Sequence, residues 1–297
     1  MANLQLFDLS GKKALVTGGG QGVGRACAIA LAMGGADVAI VGRNEVTGRR
    51  VAASLQETGS NATFVRCDVT EATQIDAMLQ EVVSRFGRLD IAVNCAGIYR
   101  SGNDESQDKA DWDAVIATNL TGTWLCARAE MQQMAKQTPS QGKIINIASL
   151  GAHIACSNGA YDASKAGVVQ LTRTLAARWG RFNINVNSIS PGYVIGTRSL
   201  DERQRLRNMT PLGHVQRLED LYGPVQFLAS SASDYVTGQD LIVDGGHSLS
   251  TWMIPLERSL KPRVDPAEEV IEIKRDLKTR GIPHDENGIP LSDGKLR

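Results

Sequence analysis

Short apolar runs recur along the chain, with longer stretches of helical periodicity between them. KALVT, ADVAIVG, ATFVRC, LDIAVN, KIINIAS, INVNSIS and DLIVD are rich in β-branched residues and of strand length. Several are apolar at nearly every position, which predicts strands covered on both faces. Between them the pattern predicts helices near residues 23–33, 44–58, 71–86, 111–136, 161–180 and 218–230. Strand, helix, strand at this rhythm means βαβ units, whose right-handed crossovers put helices on both faces of a parallel sheet. The expected fold is α/β: one doubly wound domain over residues 1–248 with a seven-stranded parallel sheet, then a C-terminal extension over 249–297.

Composition narrows the function classes. A chain of 297 residues with 42% hydrophobic and 22% charged residues can bury a sizeable core as a soluble globular protein. Its 32 Lys and Arg balance 32 Asp and Glu, so nothing draws it to nucleic acid or to an anionic membrane. The N-terminus lacks the apolar run of a signal peptide, and no later stretch is long enough to span a bilayer. Cys27, Cys67, Cys95, Cys126 and Cys156 are scattered without a CxxC pair, the pattern of reduced thiols in a cytoplasm. The four histidines lie far apart, and no metal is expected.

The stretch TGGGQGVG, Thr17 to Gly24, falls where the first strand hands over to the first helix. Gly18 suits a tight turn, Gly22 leaves room for a pyrophosphate against the backbone, and Gly24 lets the helix pack close. A helix starting near Gln21 turns unpaired N–H groups and a positive dipole end toward those phosphates. Further on, Tyr161 and Lys165 are four apart and share one helical face. A free tyrosine has a pKa of about 10, and a nearby ammonium favours the phenolate. Ser149, closing the fifth strand, is placed to hydrogen-bond a substrate oxygen as charge develops on it.

The glycine spacing T-G-x-x-x-G-x-G, followed in order by CDV, NCAG, Ser149, Tyr161-x-x-x-Lys165, SPGYV and VDGGHSL, resembles the short-chain dehydrogenase/reductases over roughly residues 8–248. The resemblance implies a Rossmann-type fold, a nicotinamide dinucleotide and hydride transfer at a secondary alcohol or ketone. It implies that Gly18, Gln21, Gly22, Val23 and Gly24 hold the cofactor phosphates. Asp68 and Val69 then contact the adenine, and Asn94, Ala96 and Gly97 line the cofactor cleft. Pro191, Gly192, Val194 and Thr197 complete that cleft, although the family's threonine is expected one position earlier, at Gly196. By the same resemblance Tyr161 is the acid/base, Lys165 also binds the nicotinamide ribose, and Asn119 holds a water linked to Lys165. Ser149 and Tyr161 are twelve positions apart where thirteen is usual in the family, so the intervening loop is one residue shorter.

NAD-using relatives place an acid at the end of the second strand, where this chain has Gly42 and Arg43. With no acid to repel a 2′-phosphate and a guanidinium to pair with it, NADP(H) is favoured over NAD(H). Arg100, His153, Asn158 and Tyr193 lie on the expected substrate side, a polar set that suits a polyol, sugar or sugar acid. A 3-oxoacyl thioester reductase shares every motif and stays open as the alternative. A non-catalytic dinucleotide-sensing protein would typically lack the tyrosine or the lysine, and both are present. The family commonly forms homotetramers through its two longest helices, here near 111–136 and 161–180. In the extension, Asp265, Pro266, Glu268 and Gly281 frame a helix near 266–280, and Trp252, Met253 and Ile254 are expected to dock over a substrate cleft.

Overall fold

The computed structural model describes residues 6–249 apart from 101, 103, 104, 195, 197 and 198, together with 274, 291, 292, 295 and 296. The expected helix near 266–280, the apolar segment at 252–254 and Thr197 therefore lie outside the described residues.

In chain order the elements are β1 (Lys13–Thr17), α1 (Gly22–Met33), β2 (Asp37–Gly42), α2 (Glu45–Glu57), β3 (Ala62–Arg66), α3 (Ala72–Phe86) and β4 (Ile91–Asn94). There follow α4 (Lys109–Ile116), α5 (Gly122–Ala135), β5 (Gly142–Ile147), α6 (Gly159–Trp179), β6 (Ile184–Pro191), α7 (Leu200–Met209), α8 (Tyr222–Ala229) and β7 (Asp240–Val243). A short antiparallel pair, β8 (Leu291–Ser292) and β9 (Lys295–Leu296), comes last. By their contacts the residues fall into two compact units, Met1–Pro191 with Leu218–Val243 and Gly192–Arg217 with Asp244–Arg297. The sequence reading, with its boundary at 248/249, does not draw this division.

The first unit holds one seven-stranded sheet in the order β3-β2-β1-β4-β5-β6-β7, with every neighbouring pair parallel. Successive residues of a strand face opposite layers. Leu15, Ala39, Ala92 and Ile144 pack with Met78 of α3, Met131 of α5 and Leu175 of α6. Val16, Ile40, Val93 and Ile145 pack with Leu31 of α1, Leu55 of α2 and Leu228 of α8. Both faces are covered, which is why the strands read as continuous apolar runs. After β3 the chain crosses back over β2 and β1 to form β4, so the strand order reverses between β1 and β4. The carboxyl ends of the strands at such a reversal open a crevice where ligands bind in sheets of this kind.

Two stretches depart from expectation. The helix predicted over 111–136 is α4 and α5 joined by a π-helical turn at Ala117–Thr121. Helix α7 carries no apolar stripe in LDERQRLRNM, so periodicity does not reveal it. Its signal is a capping box, in which Ser199 Oγ accepts from Glu202 N at 3.2 Å and Glu202 Oε2 accepts from Ser199 N at 2.8 Å.

A buried polar chain ties β4, β5, α5 and α6 together. Asn94 Nδ2 donates to Glu130 Oε2 at 2.9 Å and to Asn146 Oδ1 at 3.2 Å. Asn146 Nδ2 in turn donates to Thr172 Oγ1 at 2.9 Å. Glu130 has no solvent exposure, and burial pushes its carboxyl up to about 7 against the pull of the Asn94 bond. Its ordinary value is 4.5, so its contribution to stability is fully present below about 4.5 and lost as pH rises through about 7. Urea unfolding at pH 5 and pH 8.5 should therefore show a fall in stability on the order of 3 kcal/mol for this group. Glu130→Gln should flatten most of that difference, and an unchanged difference in the variant would contradict the assignment.

Candidate active site

The turn between β1 and α1 uses its glycines for three different reasons. Gly18 has φ +68°, and a Cβ there would lie 3.0 Å from the backbone of Ala96. Gly22 has φ +51° and open space where a Cβ would stand. At Gly24 a Cβ would come within 2.2 Å of the Gly18 carbonyl oxygen, so α1 packs directly on its own preceding turn. Thr17 locks this turn to the end of β4, its Oγ1 accepting from both Cys95 N and Ala96 N at 3.1 Å. Gln21, exposed at the N-cap of α1, gives no side-chain cap, and the first turn carries no acid. Val23 packs half-buried against the core. An uncapped helix start behind an open glycine is a cradle that fits a pyrophosphate.

At the far end of this crevice β2 stops at Gly42 and Arg43 extends outward, its side chain 64% exposed. Arg43 Nη1 lies 3.5 Å from Asp68 Oδ2, a loose pairing that leaves most of the guanidinium to other partners. Burial works against the Asp68 carboxylate, but bonds from Thr70 N and Oγ1 and the nearby Arg43 outweigh it and hold its pKa low. Val69 is buried where α5 begins, close enough that a Cβ on Gly122 would meet it at 2.8 Å.

The chemistry-bearing side chains gather past β5. Ser149 caps the short turn Leu150–Ala152, with Oγ accepting from Gly151 N at 3.2 Å, and its hydroxyl is near enough to the Tyr161 phenol to pull that phenol's pKa down. Tyr161 sits in the first turn of α6, and Lys165 follows one turn later, buried. Lys165 Nζ donates to Ile147 O at 2.8 Å and lies 5.7 Å from the Tyr161 ring centroid. Burial lowers the lysine's pKa, offset in part by Cys95. Burial likewise raises the Tyr161 phenol, and the Ser149 bond pulls it back only in part. The phenol thus stands above its ordinary value instead of below it, because burial outweighs the pull of Ser149.

Asn119, in the π-helical turn, is fully buried. Its Oδ1 accepts from Ile98 N at 2.8 Å, and its Nδ2 donates to Ile98 O at 3.0 Å and to Ser164 Oγ at 3.2 Å. Gly97 leaves the space between them, since a Cβ there would lie 3.3 Å from Asn119 Oδ1 and 3.7 Å from Lys165 Nζ. The structure thus brings Asn94, Ala96, Gly97, Asn119, Ser149, Tyr161 and Lys165 to one end of the sheet, where Pro191 also closes β6.

The residues expected on the substrate side meet different fates. Asn158 is buried and commits its amide to Tyr161 N and to Arg100 O. His153 turns Nε2 to Asp240 Oδ2 at 2.7 Å and to Ser190 Oγ at 3.3 Å. Arg100 is exposed, with Nε 3.5 Å from Asp111 Oδ1. Gly192, Tyr193 and Val194 belong to the second unit, where the Tyr193 ring meets His247 edge-on at 5.0 Å and Val194 bridges to Gln216. Motif spacing does not single out Thr17, Tyr99 and Asp162, which the structure adds to this region. Tyr99 sets its ring edge-on to Tyr161, with centroids 5.6 Å apart. Asp162 Oδ2 accepts from Cys156 N and Ser157 N at 3.2 and 3.1 Å, holding the loop that leads into α6. Their positions beside quoted motifs are the only signal the sequence offers for these three.

A family model described as "Enoyl-(Acyl carrier protein) reductase" matches residues 18–248. The 2-dehydro-3-deoxy-D-gluconate 5-dehydrogenase of Dickeya dadantii is 37% identical over 253 residues, 82% of this chain and 98% of that protein. The chain is a short-chain dehydrogenase/reductase. It is thereby an oxidoreductase of a family that binds NAD(P). The D-threitol dehydrogenase of Mycolicibacterium smegmatis is 38% identical, over 82% of this chain and 95% of that one. Among solved structures of the family, a gluconate 5-dehydrogenase from Burkholderia cenocepacia in complex with NADP and tartrate superposes with a TM-score of 0.79. That protein is 36% identical, and the match covers 84% of this chain and all of that one.

Gly24→Ala tests the cradle. A Cβ at 2.2 Å from a backbone oxygen forces the turn to move, and overpacking of this kind costs about 1–3 kcal/mol. Titration of NADPH fluorescence should show affinity weakened by about tenfold or more, with the far-ultraviolet circular dichroism of the fold retained. Unaltered affinity would remove the turn from the cofactor site.

Proposed function

We propose that the chain is an NADP(H)-dependent dehydrogenase acting on the secondary alcohol or ketone of a polar substrate such as a polyol, sugar or sugar acid. The observation that carries the reaction is the Tyr161 phenol, with the Ser149 hydroxyl beside it and Lys165 Nζ 5.7 Å from its ring centroid, at the carboxyl end of the sheet beside the glycine cradle. The dehydrogenases reported above, named for a deoxygluconate, threitol and gluconate, support the substrate class.

A nicotinamide dinucleotide held by the glycine cradle would supply or accept the hydride. Tyr161 Oη delivers a proton to the substrate oxygen in reduction and takes it back in oxidation. A phenol already holds its proton at neutral pH, and burial strengthens that hold, which favours the acid role. Ser149 Oγ hydrogen-bonds the same oxygen as its charge changes. Lys165, held by Ile147 O, puts its positive charge under the ring where a phenolate forms. Asn119 fixes Ile98 and with it the segment following β4.

Arg43 supports the choice of NADP(H), since Gly42 leaves no acid at the end of β2 to repel a 2′-phosphate. The assembly we take to be a homo-oligomer, a tetramer by family habit, with contact through α4, α5 and α6. Trp112 and Trp124 stand 44% and 41% exposed there, more than such rings favour in water. A cytoplasmic location fits the five cysteines, among which no disulfide forms. Among the described residues no helix is long and apolar enough to cross a membrane.

The decisive experiment is turnover of sugar alcohols, sugar acids and 3-oxoacyl thioesters with both cofactors. Preference for the thioesters would replace this substrate class with the acyl one. In the same assay Tyr161→Phe should lower kcat by at least about 100-fold while the NADPH dissociation constant holds. Activity within threefold of wild type would sink the acid/base assignment. Arg43→Asp should weaken NADPH by about 10–100-fold through loss of a charge-assisted partner and gain of repulsion, with NADH changed far less. If the wild type already binds NADH more tightly, the NADP(H) preference is wrong.

A further inference from the structure

Asn158 does more than a helix cap needs to do. Its Oδ1 accepts from Tyr161 N at 3.1 Å, the N-cap bond of α6. Serine or aspartate would cap equally well, since a cap requires only an acceptor. Asparagine alone among these adds an amide donor. That Nδ2 donates to Arg100 O at 2.8 Å, 58 positions away in the chain, with Gly102 O at 3.5 Å beyond it. The side chain is 3% exposed, so its bonds are made out of reach of water and are costly to lose.

The segment that receives this donor is fastened at three consecutive residues. Ile98 is held at both N and O by the Asn119 amide. Tyr99 lies edge-on to the Tyr161 ring, the planes 80° apart, while remaining 55% exposed. Arg100 is held through its carbonyl by Asn158. From the other side Asp162 pins Cys156 and Ser157, so the chain entering α6 cannot drift and Asn158 acts from a fixed base. The same side chain thus orients the first turn of the helix that presents Tyr161 and sets how far the Tyr99–Arg100 segment stands from the phenol.

We propose that Asn158 is a positioning residue, which fixes the Tyr99–Arg100 segment as a wall of the substrate opening beside Tyr161 and so selects the substrates admitted. This rests on the dehydrogenase reading, in which the substrate oxygen meets the Tyr161 phenol. Asn158→Ser retains the cap and removes the tether, and Asn158→Ala removes both.

The test uses two readouts, one of them independent of substrate. The first is limited trypsin digestion of the full chain, following cleavage after Arg100 by mass spectrometry. The second is steady-state kinetics with D-gluconate and NADP+. Asn158→Ser should be cut after Arg100 several-fold faster than wild type, with its melting temperature lowered by only a few degrees and its NADPH affinity held. Its KM for gluconate should rise about five- to tenfold, the equivalent of one hydrogen bond, with kcat within threefold. Asn158→Ala should show the same KM change and a lower kcat as well, because the turn carrying Tyr161 loosens. Tyr99→Ala, at an exposed ring, should raise KM alone, and adding Asn158→Ser to it should add little. Wild-type cleavage after Arg100 in Asn158→Ser would overturn the tether. Faster cleavage with unchanged KM would overturn the role in substrate admission. Should neither Asn158 variant fold, a wild-type KM in Tyr99→Ala would also overturn it. If wild type does not turn over gluconate, the kinetic arm uses the sugar alcohol or sugar acid it does turn over, failure on all of them sinks the substrate class, and the digestion result still decides the tether.

Discussion

One hydroxyl holds the crevice shut at its floor. Thr17 Oγ1 accepts the amides of Cys95 and Ala96, where β1 and β4 diverge into different loops and the sheet order reverses. With the glycine at 18 lying against Ala96, the glycine turn and the NCAG segment behave as one backbone layer. Every later feature is hung from that layer. Gly97 leads to Ile98, Ile98 to Asn119, and Gly97 stands against the ammonium of Lys165. A shift at the end of β1 would therefore reach α6 without any side chain of that helix being touched.

Much of the fold was legible because the sheet is covered on both faces. Its strands read as apolar runs, and their predicted bounds agree with the observed ones to within two residues or so. The glycine turn and the gathering of Ser149, Tyr161 and Lys165 were legible because close backbone approach and the one-turn helical spacing restrict residue type at fixed positions. Helix α7 was not, since LDERQRLRNM has no apolar stripe and its start is marked only by Ser199 and Glu202. Polar residues of the loop after Ser149 were read as facing substrate by composition alone. His153 and Asn158 instead spend their polar atoms on Asp240 and on Arg100, choices made by three-dimensional neighbours that no local pattern encodes.

Glu130 illustrates the same limit in the core. A glutamate in a predicted amphipathic helix reads as a solvent-facing residue, and here it is wholly enclosed. Its partner Asn94 belongs to a motif read for its place at the cofactor, yet the asparagine side chain points the other way, into the join between two strands and two helices. Polar groups of this kind set strand and helix register more strictly than apolar contacts, because a mismatch leaves a donor or acceptor buried without a mate.

The π-helical turn at Ala117–Thr121 has a consequence for how this region can change over evolutionary time. It holds one residue more than an α-helical turn, so the chain on its far side is rotated by roughly 100° from where an unbroken helix would carry it. Loss of a single codon there would restore a regular helix, and it would also swing Asn119 off Ile98 and put α4 and α5 out of phase. For this stretch the reading frame of the helix, more than the identity of most residues in it, is what selection has to guard.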